Sequence, residues 1–353
     1  MPQSLTLQKL LCEHAKEGVL YEKLPGQEVR CFACGHRCLI REGRSGICCI
    51  RYNRGGVLYV PTGYVSSIQC DPIEKKPFFH VLPGSEALSF GMLGCDYHCS
   101  FCQNWITSQT LRDPNAIAMP QLVSAKEIVK LAAECRAPII ASTYNEPLIT
   151  SEWAVEIMKE AKPKGIRGAY VSNGNGTPEV LAYLRPWVDC YKVDLKGFDD
   201  KRYRQLGGVL KVVLETITQL AAAGFWVEVV TLVVPDFNDS DEELKQVAEF
   251  LVSVSPEIPW HVSAFHGDYQ RTGAESTSVE TLLRAAAIGE AAGLKFVYAG
   301  NLPGRVNRYE NTHCPNCKTL LIERHGYTVS KNVLQETGGL CPKCKEKIPG
   351  VWR

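Results

Sequence analysis

Eleven of the sixteen cysteines in this 353-residue chain fall into three groups with metal-ligand spacing. The middle group lies in "GCDYHCSFCQNW", residues 94–105, where Cys95, Cys99 and Cys102 are spaced C-x3-C-x2-C. No fourth cysteine follows within the next thirty residues. Soft thiolates select zinc, Cu(I) or iron–sulfur clusters. The loop is too tight and too short of ligands for a closed tetrahedral zinc site. It can wrap one face of a [4Fe–4S] cube and ligate three irons, leaving the fourth open to a non-protein ligand. Ferredoxins fill that corner with a cysteine and only pass electrons. The competing reading is a zinc or ferredoxin-like site completed by a remote cysteine, His98 or water.

The other two groups flank it. Cys31, Cys34, Cys38 and Cys48 in "CFACGHRC…GIC" give C-x2-C-x3-C-x9-C, enough for zinc or for an auxiliary iron–sulfur cluster. Cys49 is adjacent to Cys48 and stays open as the fourth ligand. Cys314, Cys317, Cys341 and Cys344 form "CPNC" and "CPKC" with 23 residues between them. Two such knuckles complete a tetrahedral S4 zinc ribbon, a closed and structural site. Its basic residues suit a solubilising surface on a docking module, with nucleic acid the weaker reading. Cys12, Cys49, Cys70, Cys135 and Cys190 remain, and are expected to be buried or half-buried thiols.

These groups must be held by elements that the rest of the sequence supplies. Hydrophobic residues make up 45%, charged residues 22% and the formal charge is +1. This is an ordinary balance for a globular protein and gives no global field for nucleic acid or membrane. No apolar run is long enough to span a bilayer, and "MPQSLTLQKLLCEHAKEG" lacks the basic and apolar parts of a secretory signal. A reducing cytoplasm is therefore expected, where clustered cysteines mean metal rather than disulfides.

Residues 4–23 read as an amphipathic helix stopped by "LPGQ", and 1–27 as an N-terminal helical segment. Residues 28–85 read as an irregular Cys-rich metal-binding segment with one short strand in "GVLYVPTG". The charged run "DPIEKKP" within it reads as a solvated loop. From 86 to 305, apolar runs alternate with helical periods. The runs are "ALSFGMLG", "PIIASTY", "GAYVSNG", "DCYKVDLKG", "WVEVVTLVVP", "WHVSAFH" and "KFVYAGN". Such alternation predicts an α/β fold with a parallel sheet, open or barrelled. Most runs end in polar clusters, "TYNEP", "SNGNG", "DLKG" and "FHGD" among them, at the strand ends where α/β barrels build their sites. Residues 306–353 form the closing Cys-rich module.

"CDYHCSFC", set after the first strand of the series, resembles the C-x3-C-x-aromatic-C signature of radical S-adenosylmethionine (SAM) enzymes. Residues from about 28 to 303 are similar to the AmmeMemoRadiSam group of that superfamily, itself similar to pyruvate formate-lyase activating enzymes. "GRSGICCIRYN", "DPIEKKPFFHVLPGS", "STYNEP", "SNGNGTPE", "KVDLKGFD" and "GNLPGR" carry this likeness. It implies a partial TIM-like (β/α) barrel. It also implies that Cys95, Cys99 and Cys102 hold a [4Fe–4S] cluster whose open iron takes the methionine end of SAM. One electron then yields a 5′-deoxyadenosyl radical that removes a hydrogen from substrate. By position, the resemblance puts the Phe101 backbone near the adenine and Glu146, after Asn145, at the methionine amine. Ser172 and Asn173, then Asp194 and Lys196, fall at ribose and carboxylate contacts, and His266 near the cofactor. The superfamily usually has Gly-Gly-Glu where this chain has Tyr144, Asn145 and Glu146.

Other readings of the same residues are capping of the next helix by Asn145 and Glu146, a bare turn in "SNGNG", and a simple ion pair between Asp194 and Lys196. The resemblance implies an electron donor such as flavodoxin or ferredoxin. The substrate is expected to be a small metabolite, with a partner enzyme carrying a glycyl radical as the alternative. A zinc-binding RNA or protein adaptor with an inactive barrel is the reading from another class.

Overall fold

The computed structural model describes residues 2–353, and side chains from Leu7 onward. Its centre is an eight-stranded sheet: β1 (Ser67–Pro72), β2 (Glu86–Gly91), β3 (Ile139–Ser142), β4 (Arg167–Ser172), β5 (Cys190–Asp194), β6 (Trp226–Val233), β7 (Trp260–Ala264) and β8 (Val297–Gly300). Spatial order follows chain order, with β1 and β8 at the two edges. The strands β2 to β8 are all parallel, and β1 runs antiparallel to β2. The seven apolar runs read from the sequence are these seven parallel strands. The sheet is a partial barrel, as the resemblance implied, because β1 and β8 do not pair.

Parallel strands covered on both faces are apolar throughout, and Ile139, Ile140 and Ala141 of β3 are fully buried. Helices Ala125–Glu134, Ser151–Ala161, Pro178–Leu184, Leu210–Ala222, Asp241–Val254 and Val279–Ala292 make the crossovers. Their starts are set by local chemistry. Ser124 and Glu127 form a reciprocal capping box, and Thr177, Ser240 and Ser278 each accept an amide hydrogen bond from their helix's first turn. No helix among the described residues is long and apolar enough to cross a membrane.

The N-terminal expectation needs correction. The first helix is Pro2–Glu13 and does not reach residue 23. Ala15–Glu17 instead pairs with Val57–Pro61, and Tyr21–Leu24 pairs with Glu28–Cys31. Between them, the amides of Val19 and Leu20 donate to Glu152 Oε1 at 3.3 and 3.4 Å. Tertiary pairing overrides a local helical period there. Residues 28–85 are likewise not irregular: they contribute to three small antiparallel sheets and to β1. Arg51 locks this module to the barrel, donating from Nη1 and Nη2 to Glu152 at 2.7 and 2.8 Å and from Nη1 to the Ile149 carbonyl. Both side chains are buried.

The closing module packs at the opposite end. His80 lies against Trp226 and Phe296, residues at the starts of β6 and β8. Its ring nitrogens meet the Pro349 carbonyl at 2.7 Å and the Tyr298 hydroxyl at 2.6 Å. Glu74 of the charged run pairs with Arg324 at 3.4 Å, both fully buried. The run is therefore a strap between barrel and C-terminal module, not a solvated loop.

Candidate active site

Gly91 ends β2, and a Cβ there would lie 2.5 Å from the Thr143 carbonyl oxygen. Only glycine allows β2 and β3 to close this far at their ends. The chain then passes through Gly94, at φ +91°, into the cysteine loop. This puts the loop at the C-terminal edge of the parallel strands, where such sheets gather their ligand sites.

Cys95, Cys99 and Cys102 face one cavity, whose other walls come from the ends of β3, β4 and β5: Glu146, Asn173, Asp194 and Lys196. It encloses about 510 Å³ counting its open mouth. Burial pushes the Cys95 thiol well up, and the Asp96 and Glu146 carboxylates add to it. Burial pushes Cys99 to about 12 and also raises Cys102, while Lys196 and, for Cys102, the Ser108 hydroxyl pull the other way. Three such sulfurs ionise together only around a supplied positive charge. A thiolate-bound iron cluster fits that demand.

Glu146 is held from several sides. Its Oε2 accepts from the Asn173 amide at 2.7 Å, and its Oε1 accepts from the Ser172 hydroxyl at 2.7 Å and the Leu148 amide at 3.0 Å. It thus caps the turn Pro147–Thr150 while forming part of the cavity wall. Burial, then the nearby Asp96, raise its pKa. Asp96 is fully buried and accepts from Asn173 Nδ2 and Asn175 Nδ2, each at 2.7 Å.

Asp194 lies between two lysines: Lys192 Nζ donates to its Oδ1, and Lys196 Nζ stands 3.5 Å from its Oδ2. Burial alone would raise the Asp194 carboxyl, but these ammoniums hold it below its usual range. Burial lowers the Lys192 ammonium, with Asp194 opposing. The alternation that places Asp194 and Lys196 on one face also places Lys192 there.

Of the other residues named from the sequence, Asn145 also lines the cavity, and Phe101, Ser172 and His266 do not. The Phe101 side chain packs edge-on to Phe237 with ring centres 5.2 Å apart. Asn145 spends its amide on the backbone, accepting from Met92 N and donating to the Glu146 carbonyl. Ser172 acts on Glu146 from behind the wall. His266 is exposed, past the end of β7, and is not among the residues lining this cavity. Tyr144, where a glycine was usual, carries φ +70°, a left-handed backbone that non-glycine residues rarely adopt. Sequence reasoning missed Asp96, Ser108, Gln109, Thr143 and Lys192. For Asp96 and Lys192 a signal existed, in their positions between two ligands and two residues before Asp194.

The flanking cysteine groups differ in geometry. Cys314 and Cys344 Sγ are 3.5 Å apart, Cys317 and Cys341 Sγ 3.6 Å, and all four lie within 4.8 Å of one another. Such a group could hold a metal ion. Cys31, Cys34 and Cys48 are buried and Cys38 half-buried. Of the five remaining cysteines, Cys12 and Cys49 are exposed, contrary to expectation. Both lie in surface segments of the N-terminal module.

A parallel partial barrel, with a cysteine triplet after its first parallel strand and polar or charged side chains converging from the next three, is the arrangement of an enzyme built around a cluster and a bound cofactor. Residues 91–251 match the model of the Radical SAM superfamily. The chain belongs to that superfamily and is a radical SAM enzyme, and the family implies a [4Fe–4S] cluster and SAM. It is 38% identical over 335 residues to "Uncharacterized protein MJ0808" of Methanocaldococcus jannaschii, covering 94% of this chain and 98% of that protein. It is 25% identical to the isethionate sulfite-lyase activating enzyme of Oleidesulfovibrio alaskensis, over 35% of this chain and 41% of that enzyme. Among solved structures, a radical SAM methyltransferase from Sphaerobacter thermophilus aligns with a TM-score of 0.48 at 17% identity, covering 67% of this chain and 71% of that one.

Proposed function

We propose that this protein cleaves SAM reductively at a [4Fe–4S] cluster on Cys95, Cys99 and Cys102 and removes a hydrogen atom from a small metabolite. The observation that carries this reading is the shared cavity. Three cysteines, a carboxylate and an Asp–Lys pair line it at the strand ends. When bound, the cluster and SAM supply the one-electron chemistry, and the protein positions and shields the reactants. Glu146, oriented by Ser172 and the Asn173 and Leu148 amides, receives the methionine amine. Lys196, kept charged by Asp194, receives the methionine carboxylate, and Asn173 faces the ribose. Phe101 offers its backbone to the adenine. The electron comes from a flavodoxin or ferredoxin in the cytoplasm. Zinc fills the Cys314, Cys317, Cys341 and Cys344 group, whose sulfurs have the spacing of a tetrahedral site.

The cysteine loop is also tied to the turn after β7. Trp105 stacks on Tyr269 at 5.1 Å and donates to Asp268, and the Gln270 amide donates to the Ser100 carbonyl. A second reading, activation of a glycyl-radical partner, is favoured by the likeness to activating enzymes. Incubation with SAM, reductant and fractionated deuterated cell extract separates the two. Deuterium in 5′-deoxyadenosine from a low-mass fraction is expected. A glycyl EPR doublet arising only with a protein fraction would overturn the metabolite reading.

A further inference from the structure

The two flanking cysteine quartets differ in spacing and in place, and the difference bears on which metal each takes. Four thiolates on one tetrahedral ion with 2.3 Å bonds stand about 3.8 Å apart. The C-terminal quartet has that spacing, with pairs at 3.5 and 3.6 Å. Among the described residues, it is the one group of three or more candidate ligands whose atoms all lie within 4.8 Å. The catalytic triplet is held wider, as thiolates on separate irons of a cube must be. No three of Cys31, Cys34, Cys38 and Cys48 meet that limit either.

The N-terminal quartet also abuts the triplet. The Gly35 amide, next to Cys34, donates to the Asn175 carbonyl at 2.8 Å. Asn175 in turn donates to Asp96, the residue after Cys95. His36 Nε2 stands 3.9 Å from the same carboxylate. On the other side, a Cβ on Gly94 would lie 3.1 Å from the Cys48 carbonyl oxygen. The quartet therefore meets the cysteine loop from two sides, through Asn175 and Asp96 and by the close approach of Cys48 to Gly94. Its outer edge reaches the surface, where Leu39 and Ile47 are 47% and 43% exposed.

We propose that Cys31, Cys34, Cys38 and Cys48 hold a second, redox-active [4Fe–4S] cluster that relays electrons from the surface to the cluster of Cys95, Cys99 and Cys102. One electron from a low-potential flavin or iron–sulfur donor protein reduces the outer cluster and passes inward to the triplet's. The relay rests on the proposed SAM cleavage; the identity of the metal does not. The test is the full-length variant Cys95→Ala/Cys99→Ala/Cys102→Ala, purified and reconstituted without oxygen. It should keep about four irons per chain and give an S = 1/2 EPR signal on dithionite reduction. Zinc in place of that iron, no metal at the quartet, or a cluster that dithionite cannot reduce would overturn the proposal. Should this variant fail to fold, metal analysis of the intact protein decides. About eight irons and one zinc are expected. About four irons, with either one or two zincs, would contradict it.

Discussion

The cysteine modules at the two ends of the chain are built from the same residue type and do opposite things. The C-terminal one draws its four sulfurs into a tight group below the barrel, at the starts of the strands. It is joined to the rest by the strap through Glu74 and His80. The N-terminal one lies at the other end, against the cysteine loop, with its sulfurs apart. Position relative to the strand ends separates them: chemistry gathers at the C-terminal edge of a parallel sheet, stability at the other. The N-terminal module adjoins the candidate site, and the C-terminal one meets the opposite end of the strands.

That contrast can be broken from either side. The largest effect is expected from Cys341→Ser, which removes a ligand from a module too small to fold on its own core. Metal binding in such modules is worth about 10 kcal/mol or more. Residues 311–353 should become protease-sensitive with loss of bound metal, while SAM cleavage at the distant cavity persists. Loss of cleavage equal to loss of metal would erase the distinction. Next, Arg51→Met leaves Glu152 buried without its partner. It should lower stability by about 3–5 kcal/mol in denaturant unfolding and reduce cleavage, since the N-terminal module loses its anchor beside the site.

Acid should act on the C-terminal side. Burial depresses the His80 pKa from 6.5 to about 4, although Glu228 and the Pro349 carbonyl oppose this. The unfolded chain then binds the extra proton. The stability from this group is full above pH 6.5 and is lost as pH falls toward 4, by up to about 3 kcal/mol. Glu228, held near 2 by His261, adds a loss below 4.5. Thermal melts should show the C-terminal module releasing first across that window. The smallest effect is Tyr298→Phe, which strips a hydroxyl shared by His80 and Thr312. It should cost about 1–3 kcal/mol, with no change in cleavage.

The barrel was legible because alternation of apolar runs and helical periods is a repeated signal, and each run became a parallel strand. The antiparallel edge strand β1 was not, since "SIQCDP" is half-buried along its length and shows no alternation. The N-terminal helix was overextended because Leu20 and Leu24 continue a helical period that strand pairing overrules. In the site, strand-end position was enough to find Glu146, Asn173, Asp194 and Lys196. His266 lies two residues past the end of β7, exposed and outside the cavity lining. Asp96 and Lys192 were signalled only by position, between two ligands and two residues before Asp194; their hydrogen bonds to Asn175 and Asp194 emerge in three dimensions.

The central claim is that the cysteine triplet is a catalytic cluster with an iron left free for SAM. It is tested most directly by comparing intact protein with Cys102→Ala, both reconstituted anaerobically and given dithionite and SAM. The intact protein should release 5′-deoxyadenosine, and the variant should release none while keeping its C-terminal metal. No release from the intact protein, or undiminished release from the variant, would contradict the account.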